Sequence, residues 1–263
     1  MNRILFEKDE IVDGVATFGG ERAGHVLNVL HGEVGQVLKT GEVDGPIGTS
    51  VITGIAPSGG EITVRCSHAQ RSRRPWVDLV LAPPRPRVMK RLLPQLATMG
   101  VGRIFLVGAK KVEKDFWGAT LLKSENYRPL LIDGLMQAGT SILPTLETRR
   151  NFRKFANEEL DALWPAAKRI VAHPYGAGED FRRETEDGGI GSSVSGPSRL
   201  PSSVSGPSSR LVLAVGPEGG WIDDEVALLE ERGFVRYSLG SRILRTDTAT
   251  IALLAQLMKE FDV

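Results

Sequence analysis

The chain has 263 residues, of which 41% are hydrophobic and 25% charged, so a disordered or fibrous protein is excluded and one large or two smaller domains are allowed. Cys66 is the single cysteine, which excludes an internal disulfide and a cysteine-based zinc site and suits a reducing compartment. The first residues mix acids with short apolar runs, and no apolar run approaches roughly 18 residues, so we expect a soluble cytoplasmic protein without signal peptide or membrane span.

The net charge of +1 conceals a strongly basic region. Residues 68–75 and 84–91 together contain six arginines and one lysine. Such clustering is compatible with an anionic partner such as RNA, and equally with a solvated surface.

Short β-like stretches separated by glycine turns occupy the chain up to Cys66. They read "VATF", "GQVLKT", "TSVITGIA" and "EITVRC". Several short strands with glycine turns predict a small β-barrel. Between the first two, Val26, Leu27, Val29 and Leu30 predict one short helix that ends before Gly32.

From Trp76 onward, apolar runs alternate with longer amphipathic stretches. The runs "VDLVLA", "RIFLVGA", "RIVAH", "RLVLAVG" and "VRYSLG" predict strands, and "KRLLPQLATMG" predicts a helix despite Pro94. Alternating strands and helices indicate an α/β fold with a parallel sheet covered on both faces. We therefore expect one domain at 1–74 and a second at 75–263.

A serine-, glycine- and proline-rich segment at 184–210 interrupts the second domain. The sequence "SSVSGPS" occurs at 192–198 and again at 202–208. This composition cannot bury enough apolar surface to offset its conformational entropy, so it predicts a flexible insertion. A duplicated hairpin is the alternative.

The stretch "LAVGPEGGWIDDEV" joins a predicted strand, 210–215, to a helix that Asp223 or Asp224 caps and that Gly233 ends. The loop therefore lies at the carboxyl end of a strand, where open α/β sheets bind ligands. Its spacing fits neither dinucleotide nor P-loop patterns, and Glu218 with the acids at 223–225 would repel a pyrophosphate. The loop favours a neutral or cationic ligand, unless its glycines only shape a tight turn.

A second stretch, "SLGSRILRTDTATIALLAQLMKEF", occupies residues 238–261. It predicts a loop followed by a helix capped near Thr246 or Asp247. The helix is apolar nearly all round, which indicates burial or a subunit interface. Ile243 and Leu244 in the loop could form one side of a flat apolar pocket.

Together the two stretches resemble the SPOUT class of RNA methyltransferases, and more narrowly the RsmE family, which methylates uracil N3 in small-subunit ribosomal RNA. The similarity lies in "GPEGG" with the downstream Glu225 and in "LGSRILRTDTA". Weaker similarity extends to "HVLNVLHGEVG", "LVLAPPRPR" and "LMQAGTSILP".

The resemblance implies an N-terminal PUA-like β-barrel that binds RNA and a C-terminal domain whose parallel sheet contains a deep trefoil knot. It also implies S-adenosylmethionine as cofactor, ribosomal RNA within the small subunit as substrate, and a homodimer whose active site uses both subunits. No metal is expected, because the four histidines show no ligand spacing.

The expected cofactor pocket comprises Leu213, Gly216, Pro217, Glu218, Gly219, Leu239, Gly240, Ile243, Leu244 and Thr248, with His173 as an outer or purely structural residue. The expected RNA contacts are Arg3, Arg22, His25, Arg71, Arg73, Arg74, Arg85 and Arg87. Arg245 is expected to stabilise negative charge that develops on the uracil. Asp247 is a base, a partner that orients Arg245, or simply the helix N-cap.

Three positions depart from the family pattern. Asp247 replaces a glutamate, His31 replaces an arginine, and "MQAGTSILP" lacks the glutamates and second arginine common there. Two alternatives therefore stay open: a related enzyme that methylates a ribose oxygen or a guanine nitrogen, and a catalytically silent RNA-binding protein.

Overall fold

A computed structural model describes residues 2–57, 60–174 and 210–260. The chain forms two compact units: the first comprises Met1–Pro75, Leu93–Gly100 and Lys123–Pro144, and the second comprises Trp76–Leu92, Val101–Leu122 and Thr145–Val263. Two segments beyond the expected boundary at 74/75 thus group with the first unit. The insertion predicted at 184–210 lies outside the described residues, apart from Arg210.

A six-stranded, barrel-like sheet forms the framework of the first unit. Its strands are β1 (Ile4–Phe6), β2 (Ile11–Val12), β3 (Val15–Gly19), β4 (Val37–Glu42), β5 (Ile47–Ile55) and β6 (Glu61–Gln70), in the order β1-β4-β5-β6-β3-β2. Neighbouring strands are antiparallel except β1 and β4, which are parallel. Phe6 and Phe18 meet in its core with ring centroids 5.4 Å apart.

The short helix of this unit, α1, begins and ends earlier than the apolar pattern predicts. It spans Gly20–Asn28 and buries Ala23 and Val26. Val29 and Leu30, expected on the same helix, follow it and are 60% and 42% exposed. The prediction was wrong there because the apolar spacing continues past the residue at which the backbone leaves the helix.

A second six-stranded sheet, parallel throughout, forms the framework of the second unit. Its strands are β7 (Val77–Leu81), β8 (Val101–Val107), β9 (Thr145–Arg149), β10 (Lys168–Ala172), β11 (Leu211–Val215) and β12 (Val235–Tyr237), in the order β12-β10-β11-β7-β8-β9. All residues of β7 and β11 are buried, as expected for parallel strands covered on both faces. The predicted parallel sheet is thereby confirmed.

The remaining helices of the described chain lie between these strands or after them. They are α2 (Pro86–Thr98), α3 (Ser124–Ala138), α4 (Phe152–Glu158), α5 (Leu160–Leu163), α6 (Asp223–Glu231) and α7 (Thr246–Glu260), with short 3-10 helices at Lys8–Glu10, Lys114–Gly118 and Thr120–Leu122. Pro94 lies inside α2, so the predicted helix continues through the residue that argued against it.

A fully buried carboxylate, Asp78 in β7, connects the strands of the second unit. Its oxygens accept hydrogen bonds from the Arg103 backbone and guanidinium, from Trp164 Nε1 at 2.6 Å and from Arg210 at 2.7 Å. Four donors satisfy a charge that would otherwise be costly to bury. Asp78 therefore anchors the starts of β8 and β11 to the centre of the sheet.

The two helices that frame the candidate site differ from expectation at their N-termini. The residue that caps α6 is Ile222, and Asp223 and Asp224 are its first two helical residues, where their charges suit the helix dipole. Gly233 follows α6 with φ +79°, as the sequence predicts. The first bond of α7 runs from the Ala249 amide to the Arg245 carbonyl, so Arg245 occupies the capping position rather than Thr246 or Asp247.

Candidate active site

The first loop of the site, residues 216–222, follows β11. The Gly220 amide donates to the Pro217 carbonyl at 2.8 Å, and Gly220 has φ +71°, a conformation that favours glycine. Lys111 Nζ donates to the Gly219 carbonyl at 2.7 Å. These bonds close the loop into a tight turn whose shape is set by its backbone.

Glu225 fixes the base of this first loop. The residue is 4% exposed, and its carboxylate accepts hydrogen bonds from the Lys110 amide at 2.7 Å and the Ile222 amide at 3.2 Å. It thus joins the segment after β8 to the start of α6. The acid of the "GPEGG…E" pattern positions backbone here, which is a structural role.

The second loop, residues 238–245, follows β12. Ser238 Oγ donates to the Pro174 carbonyl at 2.9 Å and accepts from the Gly240 amide at 3.2 Å. Gly240 has φ +112°, which side-chain-bearing residues rarely adopt. At the end of this loop, Thr246 Oγ1 donates to the Gly216 carbonyl at 3.3 Å, so the two loops are joined directly.

The two loops enclose a cavity of about 350 Å³. Of the expected cofactor residues, its lining includes Gly216, Pro217, Glu218, Gly219, Leu239, Gly240, Ile243 and Leu244. His173 also contributes. Leu213, fully buried within β11, and Thr248, exposed on the first turn of α7, lie outside the lining.

A second cavity, of about 610 Å³, shares Glu218, Ile243 and Leu244 with the first. Its remaining lining residues are Arg85, Arg87, Val88, Arg91 and Arg245. Four arginines against one carboxylate make this cavity a site for an anion. Two of the expected RNA-binding arginines and the expected catalytic arginine are thus brought together.

The arginines of the second cavity differ in whether an acidic side chain already pairs with them. Arg85 donates to Glu113 at 2.9 Å, and that hydrogen bond, followed by the charges of Glu113 and Glu218, raises the pKa of its guanidinium. Arg87 and Arg91 make no side-chain hydrogen bond or ion pair within the described parts of the chain. Their charges are therefore more available to a ligand than that of Arg85.

Arg245 and Asp247 form a loose pair at the start of α7. Arg245 Nε lies 3.7 Å from Asp247 Oδ1, and the arginine side chain is 65% exposed against 25% for the aspartate. Asp247 Oδ1 also accepts a hydrogen bond from the Thr248 amide at 3.0 Å. The aspartate is held by its own helix while the arginine extends from it.

Two of the expected RNA-binding residues in the first unit, Arg3 and Arg22, have internal roles. Arg3 donates to the carbonyl groups of Thr40, Gly48 and Gly139, and burial lowers the pKa of its guanidinium. Arg22 pairs with Glu10, donates to the Leu5 carbonyl and lies 5.7 Å from the centroid of the Phe6 ring.

The His25 ring Nε2 is buried and has no partner among the described residues. By contrast, Arg71, Arg73 and Arg74 are exposed. His31, at the departure from the family pattern, is exposed with φ +51°.

Within the described residues no cluster of histidine, cysteine or carboxylate side chains could hold a metal ion. The described helices also include none long and apolar enough to cross a membrane.

A family model described as an RNA methyltransferase domain matches residues 71–258. The chain belongs to this family. It is 28% identical to ribosomal RNA small subunit methyltransferase E of Treponema pallidum over 97% of this chain and 90% of that protein, and 25% identical to the enzyme of the same name from Mycobacterium bovis over the same shares. The fold is shared with a crystal structure of ribosomal RNA small subunit methyltransferase E from Neisseria gonorrhoeae bound to S-adenosylmethionine. The TM-score is 0.68 and the identity 20%, and the match covers 98% of this chain and 97% of the Neisseria chain.

Sequence reasoning missed several lining residues of this RNA methyltransferase. Arg91 lies one helical turn after Arg87 on α2, a spacing that could have placed it on the same face. Trp221, Ser238 and Arg242 stand inside or beside the two motifs and line the first cavity. Proximity to a motif was their only signal, because inward orientation depends on the loop backbone.

Proposed function

We propose that this RNA methyltransferase transfers a methyl group from S-adenosylmethionine to N3 of a uracil in small-subunit (16S) ribosomal RNA. One observation carries the proposal: the loops after β11 and β12 are joined by the Thr246–Gly216 hydrogen bond and enclose a ligand-sized cavity that adjoins four arginines. The names of the Treponema and Mycobacterium relatives support the substrate.

The cavity has features suited to the proposed cofactor. Gly240 has φ +112° and open space where a Cβ would stand, so its backbone is accessible to a nucleoside. Trp221 Nε1, in the lining, is buried without a partner in the described chain and can donate to a ligand. The exposed carboxylate of Glu218 tolerates a positively charged sulfonium where it would repel a phosphate.

Two glycines of the first loop, Gly216 and Gly219, lie close to neighbouring side chains. A Cβ at Gly216 would lie 3.0 Å from the Trp221 ring, and one at Gly219 would lie 3.0 Å from the Lys111 side chain. A side chain at Gly216 would press on the packed Trp221 ring and the backbone of the loop, whereas one at Gly219 would require only the flexible Lys111 side chain to move. The cofactor would then meet a backbone that its own packing has already fixed, which favours binding by reducing ordering cost.

When bound, S-adenosylmethionine supplies a sulfonium-linked methyl group whose bond to sulfur breaks as the bond to N3 forms. Arg245 reaches into the arginine-lined cavity and stabilises the negative charge that the uracil gains as its N3 proton leaves. Asp247, 3.7 Å from Arg245 Nε, orients this guanidinium. The N3 proton passes to water or to a carboxylate close to the ring, and Asp247 is the nearest acid to Arg245 on α7.

The RNA backbone is bound by cations. In the second unit, Arg85, Arg87 and Arg91 accompany Arg245 around one cavity and suit the phosphates that flank the target nucleotide. In the first unit, the exposed Arg71, Arg73 and Arg74 suit further phosphates. Arg3 and Arg22 are assigned to the folding of the first unit, because their guanidinium groups are committed to internal acceptors.

The finer architecture follows the same proposal. The first unit is assigned a PUA-like fold, and the second is assigned a trefoil knot. After β11 the chain forms β12 on the far side of β10, and it then comes back to the first loop, where Thr246 bonds to Gly216. Ile251, Ala252, Ala255 and Met258 are only partly buried or exposed, so α7 has apolar surface for a homodimer interface. A ribosomal RNA substrate would place the enzyme in the cytoplasm.

The test is mass spectrometry of nucleosides from 16S ribosomal RNA of a strain that lacks the gene, before and after complementation. The expected result is loss and return of 3-methyluridine. Loss of a ribose-methylated nucleoside or a methylguanosine would identify the related activity instead. An unchanged nucleoside profile, together with RNA binding but no heat on titration with S-adenosylmethionine, would leave a catalytically silent RNA-binding protein.

A further inference from the structure

Trp221 lines the cavity between the two loops. Among the described lining residues, it is the one with a buried side-chain polar atom that has no hydrogen-bond partner in the described chain. The side chain is 6% exposed, and its indole Nε1 is buried without a hydrogen-bond partner. A buried N–H without an acceptor is costly and uncommon in folded proteins. An acceptor supplied by a ligand would remove that cost.

The ring of Trp221 is fixed by packing from two directions. It packs against Phe152 at a tilt, with centroids 5.1 Å apart and an interplanar angle of 34°. On its other side the edge that carries Cδ1 and Nε1 approaches Gly216 so closely that a Cβ there would lie 3.0 Å and 3.1 Å from these atoms. The ring therefore has little freedom to turn, and its N–H stays beside Gly216, which also lines the cavity.

Trp164 shows what the same group does when it is paired. It is 2% exposed, belongs to the same hydrophobic cluster, and donates from Nε1 to Asp78 at 2.6 Å. The fold thus supplies an acceptor for one buried indole and, among the described residues, none for the other, which belongs to a residue that lines the cavity. That difference indicates a ligand-binding role for Trp221.

The surroundings of Trp221 select the type of acceptor. Trp221 belongs to a buried apolar cluster that includes Phe152, Val226 and Leu229, so a charged acceptor would lose its hydration there. The cavity also contains Arg242, an exposed cation, which suits a carboxylate better. The indole N–H is matched to a neutral acceptor, such as a ring nitrogen or a ribose oxygen.

We propose that the Trp221 indole N–H donates a hydrogen bond to an uncharged acceptor on the nucleoside part of S-adenosylmethionine, and so positions the cofactor. This inference rests on the proposed function, because it takes that cofactor as the ligand of the cavity.

The experiment compares Trp221→Phe, which keeps the ring and removes the N–H, with the matched control Trp164→Phe. Each full-length protein is titrated calorimetrically with S-adenosylmethionine, S-adenosylhomocysteine and 5′-methylthioadenosine, and its thermal unfolding is measured without ligand. For Trp221→Phe we expect roughly threefold to tenfold weaker binding of all three ligands, as for one lost hydrogen bond, without a lower unfolding midpoint. For Trp164→Phe we expect a lower midpoint and unchanged ligand affinities.

Two results would overturn the inference. One is wild-type affinity of Trp221→Phe for S-adenosylmethionine. The other is a loss confined to the two ligands that carry a carboxylate, with 5′-methylthioadenosine unaffected. Failure of the wild-type protein to bind S-adenosylmethionine would instead contradict the proposed function.

A second measurement needs no stable variant at this position. In ¹⁵N spectra of the wild-type protein, which has four tryptophans, the Trp221 indole signal should move downfield on addition of 5′-methylthioadenosine. Indole signals that all stay in place when this ligand saturates the protein would also overturn the inference.

Discussion

Thr246 Oγ1 donates a hydrogen bond to the Gly216 carbonyl at 3.3 Å, across 30 residues of chain. Thr246 is the first residue of α7, and Gly216 is the first residue after β11. The threonine hydroxyl is thereby drawn away from capping its own helix, and Arg245 occupies the capping position. The contact holds the two cavity-forming loops together.

Thr246→Val should weaken cofactor binding more than it weakens the fold. The substitution keeps the β-branched shape and removes the hydroxyl, so one loop-to-loop hydrogen bond, about 1 kcal/mol, is lost. We expect a severalfold higher Kd for S-adenosylmethionine in calorimetry and a small fall in the unfolding midpoint. Thr145→Val, an exposed threonine at the start of β9, is the control. Equal Kd values for the two variants would contradict this role of Thr246.

Arg245→Ala should abolish most turnover while cofactor binding is retained. If the guanidinium stabilises charge only in the transition state, its removal should lower kcat by about 10²-fold or more, as for other oxyanion-stabilising donors. The measurements are methyl incorporation into small-subunit RNA and the Kd of S-adenosylmethionine. Asp247→Asn, which keeps the shape of a positioning partner, should cost less. A parent rate in Arg245→Ala would show that the arginine is wrongly assigned.

Arg87→Ala and Arg91→Ala should weaken RNA binding without slowing methyl transfer at saturating RNA. Each removes one cation from the arginine-lined cavity, so the slope of log affinity against log salt should fall by roughly 1 per variant. Filter binding over a range of salt concentrations measures this slope.

The matched control for these two variants is Arg22→Ala. Arg22 pairs with Glu10 and packs near Phe6 and Phe18, so its loss should lower the unfolding midpoint while the salt slope stays at the wild-type value. A changed slope in Arg22→Ala, or unchanged slopes in the other two, would reverse the division between structural and RNA-binding arginines.

Acid should destabilise the first unit through His68. Burial lowers the pKa of this imidazole, the nearby Glu42 opposes the shift, and Arg3 adds to it; Nε2 is 2.8 Å from Thr40 Oγ1. Because the folded pKa lies below the unfolded value, the unfolded state binds more protons between the two. Stability is therefore complete above the ordinary histidine pKa of about 6.5 and declines as the pH falls from there toward the folded pKa.

The measurement is denaturant unfolding followed by circular dichroism at pH 7.5 and 5.5. His68→Gln keeps a polar group beside Thr40 and removes the titration, so the difference in unfolding free energy between the two pH values should shrink. An equal difference in His68→Gln and wild type would exclude this histidine as the source.

Local sequence patterns predicted most strands, because a buried parallel strand is apolar along its whole length. β7 and β11 were recognisable for that reason. β1 was not, since three apolar residues carry no period, and its parallel pairing with β4 depends on residues far along the chain. The sequence "VDLVLA" did not indicate the four hydrogen-bond donors of Asp78. Two come from Arg103 in β8, one from Trp164 just after α5 and one from Arg210 just before β11.

The candidate site shows the same division. The order of its glycines, acids and apolar loop residues is a property of the sequence, and it sufficed to identify the two loops and eight of the ten residues expected to bind the cofactor as cavity lining. Leu213 and Thr248 were also expected in the pocket, yet Leu213 is fully buried in β11, Thr248 is exposed, and neither lines the cavity.

The sequence by itself determined the class of fold and the two loops, because strand periodicity and turn chemistry act over a few residues, and the two loop motifs carried the resemblance to an RNA methyltransferase family. Only the tertiary structure decided that Arg91 joins Arg245, that Arg3 and Arg22 are committed internally, and that the Trp221 N–H is left without a described acceptor. These properties depend on which atoms meet across long stretches of chain, and hydrogen bonds and ion pairs form only within a few ångströms.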